Sequence, residues 1–252
     1  MLRNVLIPAA LAFGLASAPA LASGGAHLDK QSWSWDGLFG AYDKAQMKRG
    51  FQIFHEVCSN CHGLKLVAYR NLKEIGLSED EAKAVAGERE VKDGPNDEGE
   101  MFNRPGKLSD RYIPPFANDQ AARVSNNGAL PPDLSLITKA RAGGPDYVYS
   151  LLMGFEDAPA DYKLNDGMNY NKIFPGNQIG MAPQISDDLV TYADGTKATS
   201  HQLTMDVVAF LNWAAEPELD ERKSMGLKTL IFLLVLTGLF YALKRKIWAD
   251  VH

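Results

Sequence analysis

The sequence predicts a mainly α-helical fold with long loops and a single transmembrane helix near its C-terminal end. Apolar residues recur at helical spacing in three segments, whereas few segments alternate as β-strands do. Proline and glycine are concentrated in the loops 113–116, 126–134 and 174–184. Residues 229–243 carry no charge, which is typical of a membrane-spanning helix. Long loops joined by so few helices indicate a domain that wraps a large bound group.

The first 22 residues have the composition of a secretory signal peptide. Arg3 gives a positive start, residues 5–15 form an apolar core, and Ala-Leu-Ala at 20–22 is an A-x-A cleavage signal. The apolar run is too short for a stable membrane span. We therefore expect residues 1–22 to be removed and the mature chain to begin at Ser23. The alternative interpretation is an uncleaved anchor.

Three helices are predicted in the mature domain. The first begins at Asp43, which with Gln46 resembles a capping box, and its apolar residues continue to Cys58. The second is expected over about 145–153, with proline in its first turn and glycine after it. The third is expected over about 200–215. Its apolar stripe consists of Leu203, Val207, Phe210 and Leu211, extended by Trp213.

The segment 58–62, Cys-Ser-Asn-Cys-His, has the spacing that attaches a c-type haem. Cys58 and Cys61 can each add to one haem vinyl group, and His62 can then bind the iron. These are the only two cysteines in the chain. A redox dithiol would normally lie in a βαβ pattern, and none surrounds this segment. A structural zinc site would need four ligands, and the sequence offers no convincing fourth.

Residues 78–100 form a polar stretch with nine acidic side chains, partly offset by three basic ones. We interpret this stretch as a surface excursion of the domain, helical at first and then looped, with a turn at 93–96. It could face a basic partner, although such a run is more often simply a solvated face.

The C-terminal apolar segment 225–243 is 19 residues long. As a helix it would span about 28 Å, close to the roughly 30 Å of a bilayer core. The basic run that follows it, in the tail 244–252, favours a cytoplasmic C-terminus. The domain 23–224 would then be extracytoplasmic, in agreement with the signal peptide. A buried core helix is the alternative for the apolar run alone.

The charge of the extracytoplasmic domain excludes some classes of partner. Of the 26 basic and 31 acidic residues of the whole chain, the domain keeps 21 and 30, a net charge of −9. Nucleic acid is therefore not an expected partner, because it requires a basic surface. A basic protein partner would be attracted by this field, although acidity also serves solubility alone.

The second axial position of the iron decides the function. An open position would bind small molecules, whereas a thioether ligand raises the reduction potential and suits electron transfer. Met181 and Met168 are the methionines in glycine-containing loops, and the stiffer, less polar loop favours Met181. The histidine alternatives are His27, His55, His201 and His252. His55 lies too near the attachment segment, and His201 is expected to be exposed at a helix start.

With these motifs in order, the chain resembles the cytochrome c1 family, the membrane-anchored haem subunits of the cytochrome bc1 complex. The resemblance covers nearly the whole mature chain. The matching segments are 33–37, 49–52, 58–62, 121–123, 126–135, 140–144, 146–148, 167–171, 174–176, 179–183 and 210–217.

The resemblance implies roles for individual residues. One haem c would be bound covalently through thioethers of Cys58 and Cys61, with His62 and Met181 as axial ligands. Arg141 is implied to meet a haem propionate, as a guanidinium suits a carboxylate. The residues implied to line the haem are Tyr147, Pro131 and Pro132.

The resemblance also implies a function, one-electron transfer in a respiratory or photosynthetic chain, without independent substrate chemistry. The implied partners are a Rieske iron–sulfur protein as donor, a c-type cytochrome as acceptor, and cytochrome b beside the anchor. The implied location is a bacterial inner membrane, with the haem domain periplasmic. The alternatives are a membrane-tethered haem sensor with an open iron position and a tethered c-type electron carrier outside any complex.

Overall fold

The structure, a computed structural model, describes residues 27–250, so the predicted signal peptide lies outside the described residues. The predicted fold class is confirmed, because helices dominate and strands are few. The helices are α1 Lys44–Glu56, α2 Glu79–Gly87, α3 Asp119–Ser125, α4 Gly144–Met153, α5 Ser200–Ala215 and α6 Leu219–Ile247. The strands β1 Glu90–Asp93 and β2 Phe102–Pro105 form one antiparallel ribbon, and β3 Asn169–Tyr170 and β4 Gln178–Ile179 form another.

The three predicted helices are confirmed as α1, α4 and α5. Helix α1 starts where the sequence predicts, because the Asp43 carboxylate accepts hydrogen bonds from the amides of Ala45 at 2.8 Å and Gln46 at 3.2 Å. Helix α4 has proline in its first turn and Gly154 as C-cap. Helix α5 is capped by Thr199 and runs over the predicted range.

The core of the domain is the crossing of α1 and α5. A Cβ on Gly50 would lie 1.9 Å from the backbone oxygen of Asp206, so only glycine allows the two helices to approach this closely. Phe51 and Phe54 of α1 both pack on Phe210 of α5, with ring centroids 5.5 Å apart. The helix that leads into the cysteine segment is thereby fixed to the middle of the domain.

A buried ion pair accompanies this crossing. Arg49 Nε and Nη2 donate to the two oxygens of Asp206 at 2.8 and 3.2 Å, and the Asp206 side chain is fully buried. Arg49 also donates to Asp194 at the surface, and Gln202 donates to Asp206 at 2.8 Å. The buried carboxylate is therefore both paired and hydrogen-bonded, which offsets the cost of its desolvation.

The acidic segment is more ordered than the sequence predicts. Helix α2 occupies its first part, with a capping box between Ser78 and Glu81, and its Ala82 and Ala86 are fully buried. The expectation of a loop after the helix is wrong for residues 90–93, where β1 pairs with β2, and holds for residues 94–100. The residues of β1 alternate only between exposed and half-buried, so the strand lacks the apolar alternation that would have indicated it.

Helix α6 is longer than the predicted apolar segment. It begins six residues before 225 and has 29 residues, about 43 Å. Among residues 27–250 it is the one helix long and apolar enough to cross a membrane. From Met225 onward its large apolar side chains are exposed, except for the half-buried Leu236, whereas Leu219 is buried in the domain. The first turns of α6 therefore belong to the domain, and the apolar remainder has no protein partner among the residues that the structure describes.

Candidate haem site

The cysteine segment lies in a tight turn directly after α1. Cys58 begins a short 3₁₀ helix, and the amides of Cys61 and His62 both donate to the Cys58 carbonyl, at 3.1 and 2.9 Å. The Ser59 hydroxyl donates to the His55 carbonyl at 2.7 Å. The turn is thus bonded both internally and to the last turn of the helix fixed in the core, which gives the thiols and the imidazole a rigid base.

The His62 ring is oriented by a backbone carbonyl. Its Nδ1 lies 2.8 Å from the oxygen of Pro132, so Nδ1 carries the proton and donates, leaving the Nε2 lone pair free to bind a metal. Burial lowers the pKa of His62, which favours the neutral form that ligates a metal. This is the arrangement expected of a histidine ligand with one hydrogen-bonded and one free ring nitrogen.

The segment that carries Pro132 is joined to the His62 segment at several further points. A Cβ on Gly63 would lie 2.9 Å from the Asp133 carboxylate, so the close approach depends on this glycine. Three more hydrogen bonds link the segments: Leu134 N to Gly63 O at 2.9 Å, Lys65 N to Asp133 Oδ2 at 2.9 Å, and Leu66 N to Ser135 Oγ at 3.1 Å.

Spacing and residue type do not predict that Asp133 and Ser135 join these two segments. The local signal for them is the Asp-x-Ser pattern, in which the Asp133 side chain accepts from the Ser135 amide at 3.0 Å. Such a pattern indicates a turn, but it does not say which distant segment the remaining oxygens will bind.

Met181 follows the β3–β4 ribbon, which ends at Ile179. Its side chain is half-buried. A Cβ on the preceding Gly180 would lie 2.9 Å from the Ala129 Cβ and 3.9 Å from the Met168 sulfur. The two methionine loops considered from the sequence therefore lie side by side. The Met181 segment packs on Ala129, three residues before the proline whose carbonyl holds His62.

Arg141 and Tyr147 are also brought together. Burial raises the pKa of the Tyr147 phenol, and the positive charge of the nearby Arg141 guanidinium partly offsets this shift. Arg141 is exposed, and within residues 27–250 it forms no ion pair with a carboxylate. Its guanidinium therefore stays available to an external anion. Of the two prolines predicted to line the site, Pro131 is half-buried and Pro132 exposed.

The other chemistries considered for the cysteines find little support. Burial, with a smaller effect from Cys61, raises the pKa of the Cys58 thiol to about 12, whereas a redox dithiol needs a lowered thiol pKa. Over the described part of the chain, no three His, Cys, Asp or Glu side chains converge as they would around zinc. The donor set present, two unpaired thiols and an imidazole with a free Nε2, fits a covalently bound haem.

Two other histidines are engaged elsewhere. His55 has Nδ1 2.8 Å from the Tyr112 hydroxyl and Nε2 2.9 Å from the Glu88 carboxylate, so both of its nitrogens are occupied. His201 is exposed at the start of α5, as predicted, with Nδ1 2.8 Å from the Tyr149 hydroxyl.

A cleft of about 710 Å³ lies beside the Met181 segment. Its walls include Leu152, Met168, Pro183 and Ile185, together with two carboxylates, Glu156 and Asp157. None of the predicted haem-binding residues lines it. The fit of the haem therefore rests on the donor set rather than on this cleft.

A mainly α-helical domain with a Cys-x-x-Cys-His turn, followed by a helix long and apolar enough to cross a membrane, indicates the class of protein: a haem-binding cytochrome. The comparison with known families is more specific. A family model described as the Cytochrome C1 family matches residues 33–251. The chain belongs to the cytochrome c1 family, and its function is electron transfer.

Individual relatives agree with the family match. Cytochrome c1 of Rhodospirillum rubrum is 51% identical over 267 residues, covering 100% of this chain and 98% of that protein. Cytochrome c1 1, heme protein, mitochondrial, of Arabidopsis thaliana is 50% identical over 237 residues, with 94% and 77% covered. The cytochrome b-c1 complex catalytic subunit, mitochondrial, of Candida albicans is 50% identical over 238 residues, with 94% and 82% covered.

Proposed function

We propose that this chain holds one haem c through thioethers at Cys58 and Cys61, with His62 and Met181 as axial ligands, and acts as the one-electron carrier of a quinol–cytochrome c oxidoreductase. The observation that carries the proposal is the 2.8 Å contact between His62 Nδ1 and the Pro132 oxygen, which leaves Nε2 for the iron. When bound, the haem would supply the couple between ferric and ferrous iron.

The role of the protein is to hold both ligands in place. The Pro132 carbonyl fixes the tautomer of His62 and increases the basicity of its Nε2. A methionine thioether as the other ligand raises the reduction potential. The Met181 segment and the Pro132 segment pack on each other through Gly180 and Ala129, which supports a fixed geometry on both sides of the haem.

Arg141 and Tyr147 would lie at the edge of the haem that carries the propionates. The guanidinium is exposed and has no carboxylate partner among the described residues, so it can pair with a propionate. Tyr147 lies next to it. Pro131 and Pro132 would line the haem beside His62.

The partners are inferred from the family and the charge. The Candida albicans relative is named as a subunit of the cytochrome b-c1 complex, which supports cytochrome b and a Rieske iron–sulfur protein as neighbours. The enzyme is then the whole complex, and this chain is its electron-transfer subunit. The net charge of −9 on the domain favours a basic c-type cytochrome as acceptor, because opposite fields speed encounter.

We also infer a single-pass topology in a bacterial inner membrane. Residues 225–243 would form the span within α6, residues 244–252 the cytoplasmic tail, and residues 23–224 the periplasmic domain after removal of residues 1–22. The bacterial relative, the long apolar helix and the basic run after it support this arrangement.

Two assays on the purified full-length protein test the proposal. A covalently bound haem should give a pyridine haemochrome spectrum and stay with the polypeptide in acid acetone. A six-coordinate iron should not bind carbon monoxide in the ferrous state. A colourless protein, or loss of the pigment to acid acetone, would refute covalent attachment. Carbon monoxide binding by the wild type would instead indicate a haem sensor with an open position.

A further inference from the structure

The domain exposes an apolar dipeptide beside the start of α6. Leu38 is 59% exposed and Phe39 80% exposed, at the tip of a turn that runs from Asp36 to Gly40. No charged residue lies between Asp36 and Asp43. Exposing two adjacent large apolar side chains to water costs free energy, so we expect another surface to cover them.

A lysine of α6 binds the turn on both sides of this dipeptide. Lys223 Nζ donates to the carbonyl oxygens of Gly37 at 2.7 Å and Gly40 at 3.0 Å, and also to that of Trp35. Because successive Cα atoms are about 3.8 Å apart, Leu38 and Phe39 lie within roughly 10 Å of this ammonium group. The tip is therefore tied directly to the helix proposed to enter the membrane.

The base of the turn is rigid. Trp33 stacks on Trp35 with ring centroids 4.9 Å apart, Trp35 packs on Tyr42 at 5.3 Å, and both tryptophans are buried. The Tyr42 amide donates to the Asp220 carboxylate of α6 at 3.2 Å. Turn and helix are thus one unit, and the position of the helix in the bilayer determines the height of the tip.

The position of this tip along the membrane normal corresponds to the lipid headgroups. Lys223 precedes Met225 by two residues and Thr229 by six, or about 3 and 9 Å along the helix. The apolar span begins between those two residues. The polar interface on each side of a bilayer is roughly 5–8 Å thick. A group held by Lys223 therefore lies at the boundary between water and hydrocarbon.

We propose that Leu38 and Phe39 insert into the headgroup region of the bilayer as a second membrane contact, which sets the orientation of the haem domain relative to the membrane. This inference rests on the proposed span of α6. Lipid is favoured over a protein partner because a stable protein interface needs about 800 Å² on each side, more than two side chains supply. A lipid surface accepts an isolated apolar tip.

The depth of position 39 can be measured by spin labelling. The full-length, haem-loaded chain is placed in nanodiscs of phosphatidylcholine and phosphatidylglycerol and kept ferrous. A nitroxide is attached to Phe39→Cys, and its accessibility to oxygen and to a water-soluble nickel chelate is compared. Val235→Cys, within the proposed span, and Val124→Cys, 83% exposed on α3, are the two reference positions.

We expect the label at 39 to be protected from nickel several-fold relative to 124, and less than the label at 235. If 39 matches 124 while 235 is protected, the inference fails and the span stands. If 235 is also open to nickel, the span fails, and the inference with it.

Two further measurements sharpen the test. Lys223→Met should release the turn, so that the label at 39 gains access to nickel while the label at 235 does not change. Unchanged protection at 39 would argue against the tether. In the assembled complex the label should stay accessible to oxygen. Shielding from both oxygen and nickel there would show that a protein covers the tip and would overturn the lipid assignment.

Discussion

His62 Nδ1 lies 2.8 Å from the carbonyl oxygen of Pro132. The segment that carries Pro132 also contacts the Met181 segment, through Ala129. One loop, 129–135, therefore touches both sides of the proposed haem site. Changes in this loop should affect ligation by either residue, even where the loop supplies no ligand itself.

Asp133→Ala should loosen the His62 segment, because the Asp133 carboxylate accepts from the amides of Lys65 and Ser135. Losing these bonds should lower the free energy of unfolding by about 1–3 kcal/mol, measured by urea denaturation of the haem-loaded protein. Asp97→Ala, on the exposed acidic segment, is the control, expected within about 0.5 kcal/mol of wild type. Equal effects of the two variants would contradict the role given to the loop.

Arg49→Met should be among the most destabilising single changes in the domain. It leaves the fully buried Asp206 carboxylate without its cation, and breaking such a pair typically costs about 3–5 kcal/mol. Lys48→Met removes the neighbouring exposed pair with Glu81 and should cost less than about 1 kcal/mol. Urea denaturation compares the two. A similar, small loss for both would show that the buried pair does not secure the crossing of α1 and α5.

Asn171→Ala should disorder the segment that carries Met181. The fully buried Asn171 amide accepts from the amides of Ile173 and Phe174 and donates to the Leu151 carbonyl at 2.8 Å. Without these bonds the segment after β3 keeps its backbone links to Gly154 and Phe155 but loses its side-chain link to α4. A fraction of the ferrous protein should therefore bind carbon monoxide.

Asn165→Ala, at an exposed position of the same region, is the matched control and should bind none. If neither variant binds carbon monoxide, Asn171 does not position the proposed ligand.

The ion pair between Glu81 and Lys48 should make stability depend on pH. The Lys48 ammonium and the hydrogen bonds of Ser78 lower the pKa of Glu81 to about 2. A carboxyl whose pKa is lowered on folding contributes stability above its unfolded pKa of about 4.3, and this contribution is lost as the pH falls toward 2.

Glu81→Gln should therefore differ from wild type in unfolding free energy at pH 7 and converge with it near pH 2. The difference at pH 7 should shrink in a Lys48→Met background. A difference that stays constant from pH 7 to pH 2 would show that the pair does not act through charge.

The parts of this protein that could be predicted from sequence are those determined by local patterns. Helices α1, α4 and α5 follow from caps and apolar spacing, and the Cys-x-x-Cys-His turn from its own residues. The β1–β2 ribbon was missed because its strands present no apolar face. Asp133 was missed because its partner Lys65 is 68 residues away. Contacts of that range depend on the packing of whole segments, which local spacing does not encode.

The central claim is that His62 and Met181 hold the iron from opposite sides, and the most direct test is the reduction potential of Met181→Leu beside that of Met168→Leu. The loops that contain Met181 and Met168 are neighbours, so Met168→Leu controls for any general disturbance of the region. We predict that Met181→Leu lowers the potential sharply and binds carbon monoxide in the ferrous state, whereas Met168→Leu retains the wild-type potential. An unchanged potential and spectrum in Met181→Leu, or the large shift in Met168→Leu instead, would contradict the assignment.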